Sequence, residues 1–327
     1  MKTKILPKTL NPFTWIGFLL LFFLHIPITE FAQAPDSLNP AWVTVIAGKQ
    51  YSRNSFHQWL WGKHYRKDWT TPVKVRTINL DTVNGGLVAY EAGGGRQTKT
   101  LRLRNAAGKE YVLRSIDKSF GKALPEIAHG TFVERIMNDQ ASFAQPYAAT
   151  TISPMAEAVG IYHTNPVIVF VPTQKALGEF NELFGNNLYL LEQRPDENWE
   201  EAANFGNSKK IVATEKMIQK ILADNDNSVD DQLFIRSRLF DMFIGDWSRH
   251  EDQWRWAEIK NGKKTIYYPI PRDRDQAYTR MDGVLLGVAL SAVAGHIEGF
   301  GKNIKDVPLY NFASRNLDRK ILNDATR

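Results

Sequence analysis

The sequence predicts an α+β fold, and three observations carry the prediction. Leu101 and Leu103 alternate with Arg102 and Arg104, Asn105-Ala106-Ala107-Gly108 turns the chain, and Glu110 to Ile116 returns, which is the pattern of a β-hairpin. Ser228-Val-Asp-Asp231 has the form of a capping box, and from there Leu233, Phe240, Ile244 and Trp247 fall on one face of a helix. Asn261-Gly262 lies between the aromatic runs Trp254–Glu258 and Thr265–Tyr268, and because both residues tolerate positive φ it marks a second hairpin.

The remaining elements come in chain order. Lys2, Lys4 and Lys8 precede an apolar run from Phe13 to Leu24 that is interrupted by His25 and Pro27. The run is shorter than the roughly 20 residues a spanning helix needs and suits the core of a signal peptide. Ala32-Gln33-Ala34 offers the small residues of a cleavage site, while Pro35 just beyond disfavours the cut. Residues 1–34 therefore read as a signal peptide or an uncleaved anchor, the latter giving membrane contact through the N-terminal segment. Either way the rest of the chain is expected to be exported, to the periplasm or cell envelope. Residues 35–90 are rich in Trp, Tyr and basic residues with weak periodicity and read as an irregular leader, with Trp59, Trp61, Tyr65 and Trp69 as packing anchors. Gly93, Gly94 and Gly95 form a flexible break ahead of the first hairpin. Pro154 to Val159, closed by Gly160, reads as a short helix, and Pro166–Val171 and Leu188–Leu191 as buried strands.

Composition removes several function classes. Cysteine is absent, which excludes thiolate catalysis, disulfides and Cys-based zinc sites. The formal net charge is +6, of which the leader contributes +2, and the basic residues are scattered, so nucleic-acid binding is not favoured. The apolar run Val284–Val293 is too short to span a bilayer.

The chemistry is concentrated in Gly245-Asp-Trp-Ser-Arg-His-Glu-Asp-Gln-Trp254. Asp246, Arg249, His250 and Asp252 are crowded there between bulky tryptophans. The Asn261-Gly262 hairpin is expected to return Pro269-Ile-Pro-Arg-Asp-Arg-Asp275 beside this loop, so that Asp252, Asp273 and Asp275 converge. Carboxylates packed that closely repel unless a cation neutralises them, and oxygen ligands suit Mg²⁺ or Mn²⁺. Arg249, Arg272 and Arg274 could hold phosphate or pair with the acids. The plain alternative is a structural salt-bridge network of Asp246, Arg249, Asp252, Arg272 and Asp273. His57, His64, His129 and His163 read as surface or packing residues, and Trp247, Trp254 and Trp256 as core.

A helix running into a polar loop, then a hairpin, then an acidic strand end is the order found in protein-kinase-like enzymes. Gly245–Gln253 resembles the Asp-Arg-His…Asn loop of atypical kinases, including lipid kinases and secreted kinases. Arg272-Asp-Arg-Asp-Gln-Ala-Tyr278 resembles the Asp-x-Asp-x-Ala-Phe element of spore-coat CotH-type kinases. More of the chain is covered by a further likeness. Gly93–Leu103, Tyr111–Lys118, Leu190-Leu-Glu-Gln-Arg-Pro195 and Pro269–Ala277 resemble an uncharacterised bacterial envelope family whose kinase-like region often precedes a BamA-type surface-antigen β-barrel. No barrel segment follows here, which suits a stand-alone or shortened version.

The resemblance implies a two-lobed domain with a β-rich N-lobe over residues 91–195 and a helical C-lobe over 196–327. It implies Mg²⁺ and ATP or another nucleotide as cofactors, held by Asp273, Asp275, Asp252 and Gln253. Asp246, Arg249 and His250 become the catalytic loop, Gly93–Gly95 covers phosphate, and Arg114 stands at the phosphate-holding lysine position with Glu157 as its helix partner. Two departures stand out. Ser248 occupies the position of the catalytic aspartate and cannot accept a proton as a carboxylate does. Arg114 keeps the lysine's charge but not its geometry. The expected function is therefore an exported kinase-like protein that binds nucleotide or phosphate and is a weak or inactive phosphotransferase. One rival is a non-catalytic module for outer-membrane barrel assembly or docking on an envelope partner. Another is a metal-dependent phosphoesterase using His250 and the acids.

Overall fold

The computed structural model describes residues 41–94, 97–121, 124–287 and 297–322. The leader 1–34, Gly95 and part of the 284–293 run lie outside the described residues. Among those described, no helix is long and apolar enough to cross a membrane. Two mixed sheets with helices packed on them make the chain α+β.

The first sheet has seven strands in the order β1-β2-β6-β7-β5-β4-β3. These are β1 Trp42–Val45, β2 Val73–Thr77, β3 Val88–Gly93, β4 Thr100–Arg104, β5 Glu110–Ser115, β6 Val167–Val171 and β7 Asn187–Gln193. The stretch read as an irregular leader thus supplies β1, β2 and the first half of β3. Val73 and Val75 alternate with Lys74 and Arg76, a period-2 signal too short to rise above the aromatic text around it. Of its expected anchors, Trp69 is fully buried with Nε1 donating to the Ala144 carbonyl at 2.8 Å, while Trp59 stays exposed.

The predicted hairpin is present as β4–β5, with Leu101 opposite Leu113 and Leu103 opposite Tyr111. Leu101, Leu103 and Leu113 are fully buried against Val171, Phe184 and Tyr189, and Arg102 and Arg104 take the opposite face. The glycine-rich segment turns the β3–β4 hairpin rather than breaking the chain ahead of the sheet, since Gly93 pairs with Thr100. Gly94 has φ +100, and a Cβ there would sit 1.8 Å from the Thr98 carbonyl oxygen, so no larger residue fits. Strand β7 is buried on both faces: Leu188 and Leu190 join one apolar cluster, Tyr189 and Leu191 the other. The short helix expected at 154–159 begins earlier, spanning Ala148–Ala158 with Pro154 inside it. Pro154 lacks the N–H for one helical bond, and its text masks the turn before it.

The second sheet has the order β8-β10-β11-β9, with β8 Ile211–Ala213, β9 Asn227–Val229, β10 Trp254–Asn261 and β11 Lys264–Pro271. The 196–327 stretch is accordingly mixed rather than helical. The Asn-Gly hairpin forms as expected: Asn261 pairs with Lys264, and Gly262 takes φ +65. Trp254 and Trp256, two apart and so on one face, stack at 6.0 Å and are fully buried with Phe234, Met217 and Leu317. The helix Asp231–Phe243 lies beside this sheet. Its cap is Asp230, whose side chain accepts from the Leu233 amide at 2.8 Å, so the capping residue lies two positions after the Ser228 of the expected box. Ser228 itself is in β9.

That cap gives a first test. Asp230→Ala leaves a helix-start amide without its side-chain acceptor and is expected to cost about 1 kcal/mol, read as a lower urea midpoint with unchanged slope. An unchanged midpoint would remove the cap from the account of this helix.

Candidate functional site

The helix 231–243 ends at Gly245, whose φ of +74 lets the chain turn sharply back on itself, and the Asp246 amide bonds the Asp241 carbonyl at 2.8 Å. The loop beyond it meets the far end of the hairpin as the sequence predicts. Trp254 pairs with Pro271, the Arg272 amide donates to the Gln253 carbonyl at 3.0 Å, and Arg272 Nη2 donates to the Asp252 carbonyl at 3.0 Å.

Beneath the loop is a buried ionic knot centred on Asp241. Its carboxylate contacts Arg238 Nη1 at 2.9 Å, Arg274 Nη2 at 3.1 Å and Arg249 Nε at 3.3 Å. Asp241 and Arg249 are fully buried, Arg238 and Arg274 nearly so. Burial pushes the Asp241 carboxyl up, but the three guanidinia outweigh it and hold it below the usual carboxylate range. Sequence reasoning missed this centre. Its signal was Arg238 and Asp241, three apart on the face of the helix that also carries the buried Phe234 and Ser237.

The residues of the expected catalytic loop divide between the interior and the surface. Asp246, the expected base, is fully buried, bonded to Arg249 and accepting from the Ser248 hydroxyl at 3.1 Å. Burial raises its carboxyl above the ordinary value, only partly offset by Arg249. The enclosed carboxylate is engaged by Arg249 and Ser248, contacts that anchor the loop. His250 and Asp252 lie at the surface: the Asp252 side chain is 95 % exposed, and its carboxylate is 4.0 Å from His250 Nδ1. Asp252, Asp273 and Asp275 do not form a three-carboxylate group able to hold a metal ion.

Asp273 and Asp275 do sit together, at the end of β11, against the first sheet. Arg114 Nη1 lies 3.5 Å from Asp273, and Lys118 Nζ lies 2.6 Å from Asp275. Both carboxylates are a little over a quarter exposed, and Lys118 is buried. Burial pushes the Asp273 carboxyl up, yet Arg114, Lys118 and Arg272 together bring it below its usual range. Asp273 is held at φ +60, a conformation that aspartate tolerates better than most residues. Arg114 has Glu192 as its close partner, Nε to Oε1 at 2.5 Å, and not Glu157, which is exposed on the 148–158 helix. Lys118 and Glu192 were overlooked although both lie in stretches that carry the resemblance.

Mg²⁺ was expected here. Among the described residues no three His, Asp or Glu side chains converge to hold a metal. The charges of Asp273 and Asp275 are already met by Arg114 and Lys118, and Gln253, though buried with Oε1 lacking a hydrogen-bond partner, adds no charge. Among the described residues His250 likewise belongs to no group of three His, Asp or Glu side chains.

Beside Asp273 lies a polar cleft of about 190 Å³ between β4–β5, the Glu192–Pro195 stretch and the root of the second hairpin. Arg102, Arg114, Arg194, Arg255 and Arg272 line it, with Glu192 the acid among the lining residues. Arg102 is paired with Glu91, and Arg194 with Glu110 and Asp196. Of Gly93–Gly95, the two described residues lie at the β3–β4 turn and are not among the cleft's lining residues.

Comparison of the chain with protein-family models, with curated proteins and with solved structures returns no match.

The ionic knot makes a pH-dependent prediction. Asp241→Asn removes the charge that three buried guanidinia share and is expected to cost about 3–5 kcal/mol at neutral pH. Because the folded carboxyl sits below its unfolded value near 4, its stabilisation is full above that value and fades as pH falls through the folded one. Urea unfolding from pH 7 down to 3 is expected to show the gap between the two proteins narrowing below pH ~4. A constant gap would sink the ionic explanation.

Proposed function

We propose that this chain is an exported, kinase-like protein that binds a nucleotide or other phosphate-bearing ligand in the arginine-lined cleft, and that it transfers phosphoryl groups weakly or not at all. The observation that carries the binding half is the charge balance of the cleft. Arg255 and Arg272 face it and, among the described residues, have no carboxylate within salt-bridge distance; their guanidinia bond only backbone carbonyls. Guanidinia gathered at partly buried positions with no directly paired carboxylate favour an anion between them.

The two-lobed kinase-like arrangement is supported by element order. A glycine turn joins the first two strands of a meander, a buried strand leads through Glu192–Pro195 to a second sheet, and a polar loop and hairpin bring Asp273 back against Arg114. The catalytic half is weakened by burial of Asp246 and by Ser248. Those same two features favour the rival reading, a non-catalytic envelope module, and a pseudokinase that docks on a partner joins the two.

The purified protein at low ionic strength is expected to gain several degrees in Tm with millimolar ATP or pyrophosphate, with little change on adding EDTA, and to show phosphotransfer close to background. Ser248→Asp, which supplies the missing carboxylate, is expected to raise transfer above the parent. Absence of a shift with every phosphate compound would sink the binding half, and brisk transfer by the parent protein the inactive half.

A further inference from the structure

The same cleft speaks to the class of ligand, provided that phosphate does bind there. Its charges are unevenly satisfied. Three of its arginines have carboxylate partners: Arg102 with Glu91, Arg114 with Glu192 and Asp273, and Arg194 with Glu110 and Asp196. Arg255 and Arg272 do not. Arg255 Nη1 donates to the carbonyls of Trp254 at 2.8 Å and Asp252 at 3.3 Å, and Arg272 Nη2 donates to the same Asp252 carbonyl at 3.0 Å. Two guanidinia therefore meet on one oxygen, and Arg272 Nε is buried with no hydrogen-bond partner. Burial lowers both from the ordinary arginine value, and the neighbouring charges of Arg255 and Arg114 help to bring Arg272 down to about 9. A di- or trianion placed between Arg255 and Arg272 would relieve both penalties at once.

The walls say what else could fit. Apart from the arginines, the lining is Thr100, Thr164, Val112, Glu192, Gln193 and Pro195, with no aromatic ring. A nucleobase is held by flat apolar faces, and small-molecule pockets usually enclose about 300–1,000 Å³. This cleft is about 190 Å³ and presents chiefly charge.

We infer that the cleft takes a small phosphate oxyanion of two or more charges, forked between Arg255 and Arg272, and provides no separate seat for a purine. Titration calorimetry on the full exported chain at fixed low salt tests this with inorganic pyrophosphate, tripolyphosphate, ATP and adenosine. Pyrophosphate and tripolyphosphate are expected to bind, ATP to bind no more than about threefold tighter than tripolyphosphate, and adenosine to give no heat. Arg255→Gln and Arg272→Gln are each expected to weaken pyrophosphate by about tenfold or more. Arg255→Lys keeps the charge but loses the fork, so it serves if a glutamine variant fails to fold, and it is expected to weaken pyrophosphate in the same direction. ATP binding tenfold tighter than tripolyphosphate, or any binding of adenosine, would show a seated base and overturn this inference while leaving phosphate binding intact. Pyrophosphate binding indifferent to the arginine substitutions would overturn it by placing the site elsewhere. If none of the three phosphate compounds binds, this inference and the phosphate-binding function fall together.

Discussion

One fully buried carboxylate, Asp241, organises the centre of this protein. It lies on the helix 231–243, while the guanidinia that reach it come from three places: the same helix, the polar loop and the segment after β11. A charge taken out of water at such cost is tolerable only when its partners are fixed. The knot therefore ties the loop and the end of the hairpin to one helix. Arg249 extends the tie by donating to the Arg272 carbonyl and by lying over the Trp254 ring. Trp254 in turn stacks on Trp256.

With that floor in place, the chemistry nearer the surface depends on where charges are cancelled and where they are not. Asp246 is spent on Arg249. Asp273 and Asp275 are met by Arg114 and Lys118 from the first sheet. What is left over is positive, and it borders the cleft at Arg255 and Arg272. The resemblance to kinases points to acids as metal ligands; the structure shows Arg255 and Arg272 as the cleft cations without a carboxylate partner among the described residues.

The legible parts of the sequence were those with local signals. The Leu101–Leu103 alternation and the Asn261-Gly262 turn each specify a hairpin through neighbouring residues alone, and the fold-back of Arg272 onto Gln253 is a consequence of the second of them. The helix at 231–243 was legible from its apolar face, though its cap was displaced from Ser228 to Asp230. What failed was decided by long-range packing. Strands β1 and β2 are short and hold their place because β6 and the buried Trp69 receive them; the Val73/Val75 alternation and the Trp69 anchor hint at this, but the pairing with β6 lies about ninety residues away. Whether an aspartate is a base, an anchor or a surface residue depends on burial, and Asp246 and Asp252, on one short loop, have opposite fates. The partner of Arg114 was sought on a helix and lies on the adjacent strand, at Glu192.

The contact between Arg114 and Asp273 has a consequence of its own. A resident carboxylate is a standing competitor for whatever approaches that guanidinium, and displacing it carries a fixed cost that any newcomer must exceed. Halides and other monovalent ions offer no more charge than the side chain they would replace. Only a visitor of higher valence, bonding several cations together, comes out ahead. On the proposed reading, the pair would set a threshold on charge for any anion that extends from Arg255 and Arg272 as far as Arg114.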